Sequence, residues 1–139
     1  MNRPGRERGS MSAEAVLLAP VLLLFLLFLA GAGRLVEAQG EVNGAARDAA
    51  RAASVQRDDG AAQSAATEAV TAVLEGQCSG PQVGLEIRRD EGEGAGEPQA
   101  GEVRAEVTCE LDLSFLGFGA AKTMTGVAVV PLERYRRFE

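Results

Sequence analysis

From Ala15 to Gly33 the chain carries no charged side chain. Nothing else in the sequence constrains the fold as strongly. As a helix, these roughly 19 residues reach about 28 Å, enough to cross the hydrocarbon core of a bilayer. Arg3, Arg6 and Arg8 precede the run against a single acid, Glu7, whereas Arg34, Glu37 and Glu41 follow it. That bias predicts a cytoplasmic N-terminus and an extracytoplasmic remainder. Pro20 would kink the helix mildly, which membrane helices tolerate because neighbouring groups satisfy the freed carbonyl. Two ordinary readings fit the run. One is a secretory signal cut near Ala30-Gly31-Ala32, although the run is longer than the usual apolar core of such a signal. The other is an uncleaved single-pass anchor.

Composition removes several functions. The chain of 139 residues has no His, no Trp and one Tyr, so the commonest general base and the commonest zinc ligand are missing. No nucleophile–base pair, phosphate loop or metal cluster can be assembled, and the expectation is a protein that is not an enzyme and takes no cofactor, metal or small-molecule substrate. The net charge of -6 argues against nucleic acid, which needs clustered basic residues. Cys78 and Cys109 both follow the apolar run, on the side predicted to be oxidising, and are expected to form a disulfide. The bridge would close about 30 residues, for a stabilisation of roughly 3–4 kcal/mol. The domain beyond the membrane is small and poor in aromatics, so its core needs such a fastening.

Beyond the run, an alanine-rich helix is expected to continue from Arg34 to about Val55. Leu35, Val42, Ala45, Ala46, Ala49 and Ala53 share one face, and Arg47 and Arg51 another. Ala45, Ala49, Arg47 and Arg51 are candidates for a subunit contact, the alanines allowing close helix packing and the arginines meeting an acidic partner. An amphipathic stalk with solvated arginines explains the same pattern. Gly40 and Gly44 each cost about 1 kcal/mol of helix propensity, so the sequence leaves open whether the helix bends there or continues. Arg57-Asp58-Asp59-Gly60 reads as a break, with Asp58 or Asp59 capping a second helix from Ala61 to about Leu74, stopped at Gly76. Alternation then predicts strands over Gln82–Arg89 and Glu102–Leu113, the second with Val103, Ala105, Val107, Cys109, Leu111 and Leu113 inward. The polar, Gly-rich stretch between them, Asp90 to Gly101, lacks the calcium-loop pattern and reads as a hairpin loop. A third strand near Thr123–Val130 closes an antiparallel meander before Pro131. Phe115, Leu116 and Phe118 form an apolar, glycine-jointed loop that either folds over the sheet or meets a partner subunit or the membrane surface.

Gly9 and Glu14 give the apolar run a third reading. A type IV prepilin has a short basic leader ending in Gly and an acid five residues after the cut, and Gly9, Ser10 and Glu14 fit that spacing at the edge of the run. An acid there is costly without a partner. In an assembly, the freed amine of a neighbouring Ser10 could pair with Glu14 and set the register between helices. The opening Arg8-Gly9-Ser10, Glu14, Leu17-Leu18-Ala19-Pro20 and the continuation Gly33-Arg34-Leu35 and Val42-Asn43-Gly44-Ala45-Ala46-Arg47-Asp48-Ala49-Ala50-Arg51-Ala52-Ala53 resemble TadE-like proteins of the tight-adherence (Flp) pilus system. The resemblance covers roughly residues 8–56, and departs from the family where Ala15 rather than Phe follows Glu14.

The expected fold is therefore α+β and pilin-like: a long N-terminal transmembrane and stalk helix, a second short helix and a small three-stranded antiparallel meander. The expected domains are a leader over 1–9, a transmembrane helix over 10–33, a helical stalk over 34–57 and an extracytoplasmic α+β domain over 58–139. The resemblance implies a pseudopilin-like minor component of pilus assembly in the cell membrane, whose partners are other assembly subunits and a prepilin-type peptidase. The alternative is a membrane-tethered secretion-accessory or binding protein with an uncut anchor.

Overall fold

The computed structural model describes residues 8–89, 101–114 and 119–132, with side chains from Glu14 onward. Helix α1 runs over Arg8–Ser54 and helix α2 over Asp59–Leu74. Strands β1 (Ser79–Arg89), β2 (Gly101–Asp112) and β3 (Ala121–Pro131) follow. The strands form one antiparallel sheet in the order β1-β2-β3, so the α+β meander expected from the alternation is the observed topology.

The chain divides into two compact units between Val36 and Glu37. The first is helical over its described part and buries almost nothing. Its large apolar side chains from Val16 to Leu29 are all outward, from 48% exposure at Leu29 to 73% at Leu17. Such a surface is unfavourable in water at roughly 25 cal/mol per Å², and the segment needs apolar surroundings.

The second unit holds the core. The last part of α1, from Glu37 onward, belongs to this compact unit. The reason is the alanine face. Val42, Ala45, Ala46, Ala49, Ala50 and Ala53 are all buried. At ~100° per residue they and Ser54 occupy about half the circumference of the helix. Arg47, Asp48 and Arg51 lie on the opposite, exposed side. The helix is also uninterrupted, since α1 is helical through Gly40 and Gly44. Packing of Val42, Ala45 and Ala46 on either side of Gly44 outweighs the propensity cost of the glycines.

Helix α2 starts where a cap is available. Asp58 is extended, and its Oδ2 accepts from the Ala61 N–H at 2.9 Å, which resolves the choice between Asp58 and Asp59. Ala62, Ala66, Val70 and Leu74 form its buried stripe, four residues apart. The helix ends at Glu75, and Gly76 takes a positive φ of 81°, a backbone region that side-chain-bearing residues rarely adopt.

The sheet follows its alternation. Val103, Ala105, Val107 and Cys109 of β2 and Met124, Gly126 and Ala128 of β3 are buried on one face. Val83, Leu85 and Ile87 of β1 are half-buried, and Leu111 likewise. At Gly126 the sheet and α1 approach closely. A Cβ built there would lie 2.6 Å from the Val42 carbonyl oxygen, 2.8 Å from the Val42 carbonyl carbon and 3.0 Å from the Asn43 nitrogen. The backbone of α1 rests directly on the missing side chain, which is the usual meaning of a glycine inside a strand.

Candidate functional site

The residues singled out by the sequence fall into two groups. The first surrounds the start of α1. Gly9 and Ser10 lie in its first turn, with side chains outside the described set. Glu14 is exposed, and the apolar run begins at the next residue. Among the described residues, α1 is the one helix long and apolar enough to cross a membrane. Only 6% of its most apolar window is buried, unlike the core helix of a soluble domain.

The second group fastens the folded unit together. Cys78 and Cys109 are disulfide-bonded, with Cα atoms 5.9 Å apart and a sequence separation of 31. Cys109 comes from the inner face of β2, and Cys78 from the turn after α2. The neighbouring Gln77 donates from Nε2 to Glu41 Oε1 of α1 at 3.0 Å. The bridge and this hydrogen bond thus bring α1, the end of α2 and the middle strand to one place. At the other end of α2, Arg89 of β1 forms an ion pair with Asp59. The hydrogen bond from Arg89 holds the Asp59 carboxyl below its ordinary pKa, and the same contact raises that of the guanidinium. Asp59 also sits in the first turn of α2, where the helix dipole favours an anion.

Two glutamines cover the sheet edges. Gln39 Nε2 of α1 donates to the Thr125 carbonyl of β3 at 3.0 Å, and Gln63 Nε2 of α2 donates to the Val83 carbonyl of β1 at 3.0 Å. Each helix therefore satisfies one outward-facing carbonyl on its own edge of the sheet. Unpaired edge groups are where other chains add strands, so these contacts restrain edge-to-edge pairing. Sequence reasoning missed both glutamines and the Asp59–Arg89 pair, whose partners are far apart along the chain. Gly126 could have been found, because a glycine stands mid-strand between the β-branched Thr125 and Val127.

The candidate subunit contacts separate. Ala45 and Ala49 are fully buried inside the chain and present no surface to a partner, which corrects their assignment to a subunit contact. The small side chains serve close packing within the unit instead. Arg47 and Arg51 are exposed and share one side of α1. Phe115 and Phe118 lie outside the described residues, as do the loop from Asp90 to Ala100 and the tail from residue 133.

Residues 9–51 match the family model of TadE-like proteins. Over this segment the chain is similar to TadE-like proteins. The matched segment begins at Gly9, includes Glu14 and the whole apolar run, and ends at Arg51 on the exposed side of α1. No curated protein and no solved structure matches the chain. The TadE-like region therefore coincides with α1, and α2 and the sheet lie beyond it.

Proposed function

We propose that the protein is a membrane-anchored, pseudopilin-like minor component of tight-adherence pilus assembly, structural rather than catalytic in its role. One coincidence carries the reading: the TadE-like segment contains the run whose helix turns an apolar surface outward, with an acid at its N-terminal edge. In this reading a prepilin-type peptidase cuts between Gly9 and Ser10. The helix stays in the bilayer with the N-terminus cytoplasmic, and the unit from Glu37 onward is extracytoplasmic, where the Cys78–Cys109 bridge is stable.

Glu14 then has a defined task. A carboxylate at the edge of hydrocarbon is costly alone, and the new amine of Ser10 on a neighbouring subunit is an oppositely charged partner at the same depth. The pairing favours transfer of the helix from lipid into a bundle and fixes the stagger between helices. The mature N-terminus tests the reading. Mass spectrometry of the membrane-extracted protein should find Ser10 as the first residue. An intact Met1 favours an uncleaved accessory protein, and a start near Gly33 means a secreted one. Glu14→Ala should leave membrane insertion unchanged while reducing incorporation into assemblies, and unchanged incorporation would remove the register role.

A further inference from the structure

The folded unit carries two charged surfaces facing away from its core. On α1 these are Arg47, Asp48 and Arg51, all exposed. On the outer face of the sheet, Glu86 lies directly across from Arg104, and Glu106 lies two residues further along β2, opposite Gly84. Among the described residues, none of these six side chains makes an ion pair or a hydrogen bond. Glu86 and Arg104 face each other in register and still do not pair.

The two triads are opposite in sign, member for member. Arg47 and Arg51 are four residues apart on a helix, about 6 Å along its axis. Glu86 and Glu106 are diagonal neighbours across two strands, about 7–8 Å apart. Beside each like-charged pair sits one group of the other sign, Asp48 on the helix and Arg104 on the sheet. The sheet triad also borders a shallow groove of about 330 Å³, whose wall at Gly84 has no side chain. The groove can admit the end of a long side chain.

We propose that the exposed side of α1 in one copy docks on the outer sheet face of a second copy, with Arg47 and Arg51 on Glu106 and Glu86, and Asp48 on Arg104. The two surfaces belong to opposite sides of the unit, because α1 buries the face that meets the sheet at Gly126 and turns these three residues away from it. The contact is therefore head-to-tail. Each copy keeps one donor and one acceptor face, and repetition gives an open chain or a ring rather than a closed pair. A three-stranded face is narrow, and exposed ion pairs contribute little each, so the contact is weak between free copies. Anchoring copies in one membrane raises their effective concentration and makes it significant. The inference rests on the proposed function only for that tether.

The test is energy transfer between donor-labelled and acceptor-labelled full-length copies in dilute proteoliposomes at low salt. Wild-type copies should show transfer that high salt abolishes. Arg47→Glu with Arg51→Glu, and separately Glu86→Arg with Glu106→Arg, should each lower self-transfer about tenfold. Mixing the two reversed proteins restores attraction at both possible contacts, and transfer should return. Circular dichroism checks that each variant is folded. If a reversal fails to fold, the Gln versions of the same pairs replace it, with an expected loss of about threefold. Absence of transfer in the wild type, insensitivity to both reversals, or no recovery on mixing overturns the proposal. Recovery with an intact Met1 would leave this contact standing and remove the pilus reading, whereas a Ser10 start without transfer would do the reverse.

Discussion

Gly126→Ala adds one methyl group where the sheet meets the backbone of α1. Its Cβ would lie 2.6 Å from the Val42 carbonyl oxygen and 3.0 Å from the Asn43 nitrogen. Both neighbours are backbone atoms inside a helix and cannot rotate away, so α1 itself must shift by several tenths of an ångström. Such a shift would disturb the buried row from Val42 to Ala53 that depends on close approach. Overpacking of this kind costs about 1–3 kcal/mol, while removing a strand glycine returns about 0.5–1 kcal/mol through the unfolded chain. The net effect expected is a loss of about 1–2 kcal/mol, or a melting temperature lower by roughly 5–15 °C for a unit of this size. Gly84→Ala is the matched control. It lies in the same sheet, and its Cβ would meet nothing within 4 Å, so the entropic gain stands alone. Thermal unfolding of the full chain in detergent, followed by circular dichroism at a strand-dominated wavelength, reads both. The reasoning fails if Gly126→Ala melts with or above the wild type, or if the two alanine variants move together.

Three further outcomes are expected. Cys78→Ser should cost roughly 3–4 kcal/mol, because a bridge spanning 31 residues restricts the unfolded chain; melting that is identical with and without reductant would contradict this. Asp58→Ala leaves the Ala61 N–H without its acceptor and should lower stability by about 1 kcal/mol, whereas Asp58→Asn, which keeps an acceptor, should lose only a few tenths in the same melts. The Asp59 carboxyl is held below its ordinary pKa by Arg89, so its contribution is complete above the ordinary carboxylate range and is lost as pH falls through the lowered value. Acid titration of the folded unit should therefore show a small part of the stability loss below about pH 4, absent in Asp59→Asn, and equal acid sensitivity of the two proteins would remove the pair from the account.

Elements with a local signature were legible in advance. The apolar run, the break at Arg57 to Gly60, the stop at Gly76 and the alternation of β2 each correspond to an observed boundary or face. Even the inward position of Cys109 followed from its parity in the strand. The features that were not legible depend on pairs distant in sequence. Gln39 meets Thr125 across 86 residues, and Arg89 meets Asp59 across 30, and no periodicity encodes either contact. Gly40 and Gly44 point to the same limit from the other side: their propensity cost is real, but the helix continues because tertiary packing outweighs it.

The alanine face shows why a sequence pattern can identify a surface and still leave its partner open. A row of small residues at helical spacing permits close approach by any backbone, whether a neighbouring subunit's helix or the chain's own sheet. The deciding feature lies far away, in β3. Gly126 is the counterpart of the row, a second missing side chain placed where the backbone of α1 arrives. Together they consume the alanine face within the chain. The side of α1 left for other molecules is the one with Arg47, Asp48 and Arg51. Burial of the alanines thus moves any intersubunit contact of the part of α1 after Val36 from shape-matched, close-packed surface to charged surface. Such a contact is salt-sensitive and individually weak, and its specificity comes from the order of signs. A membrane tether, by holding many copies at high local concentration, is the setting in which contacts of that kind are sufficient.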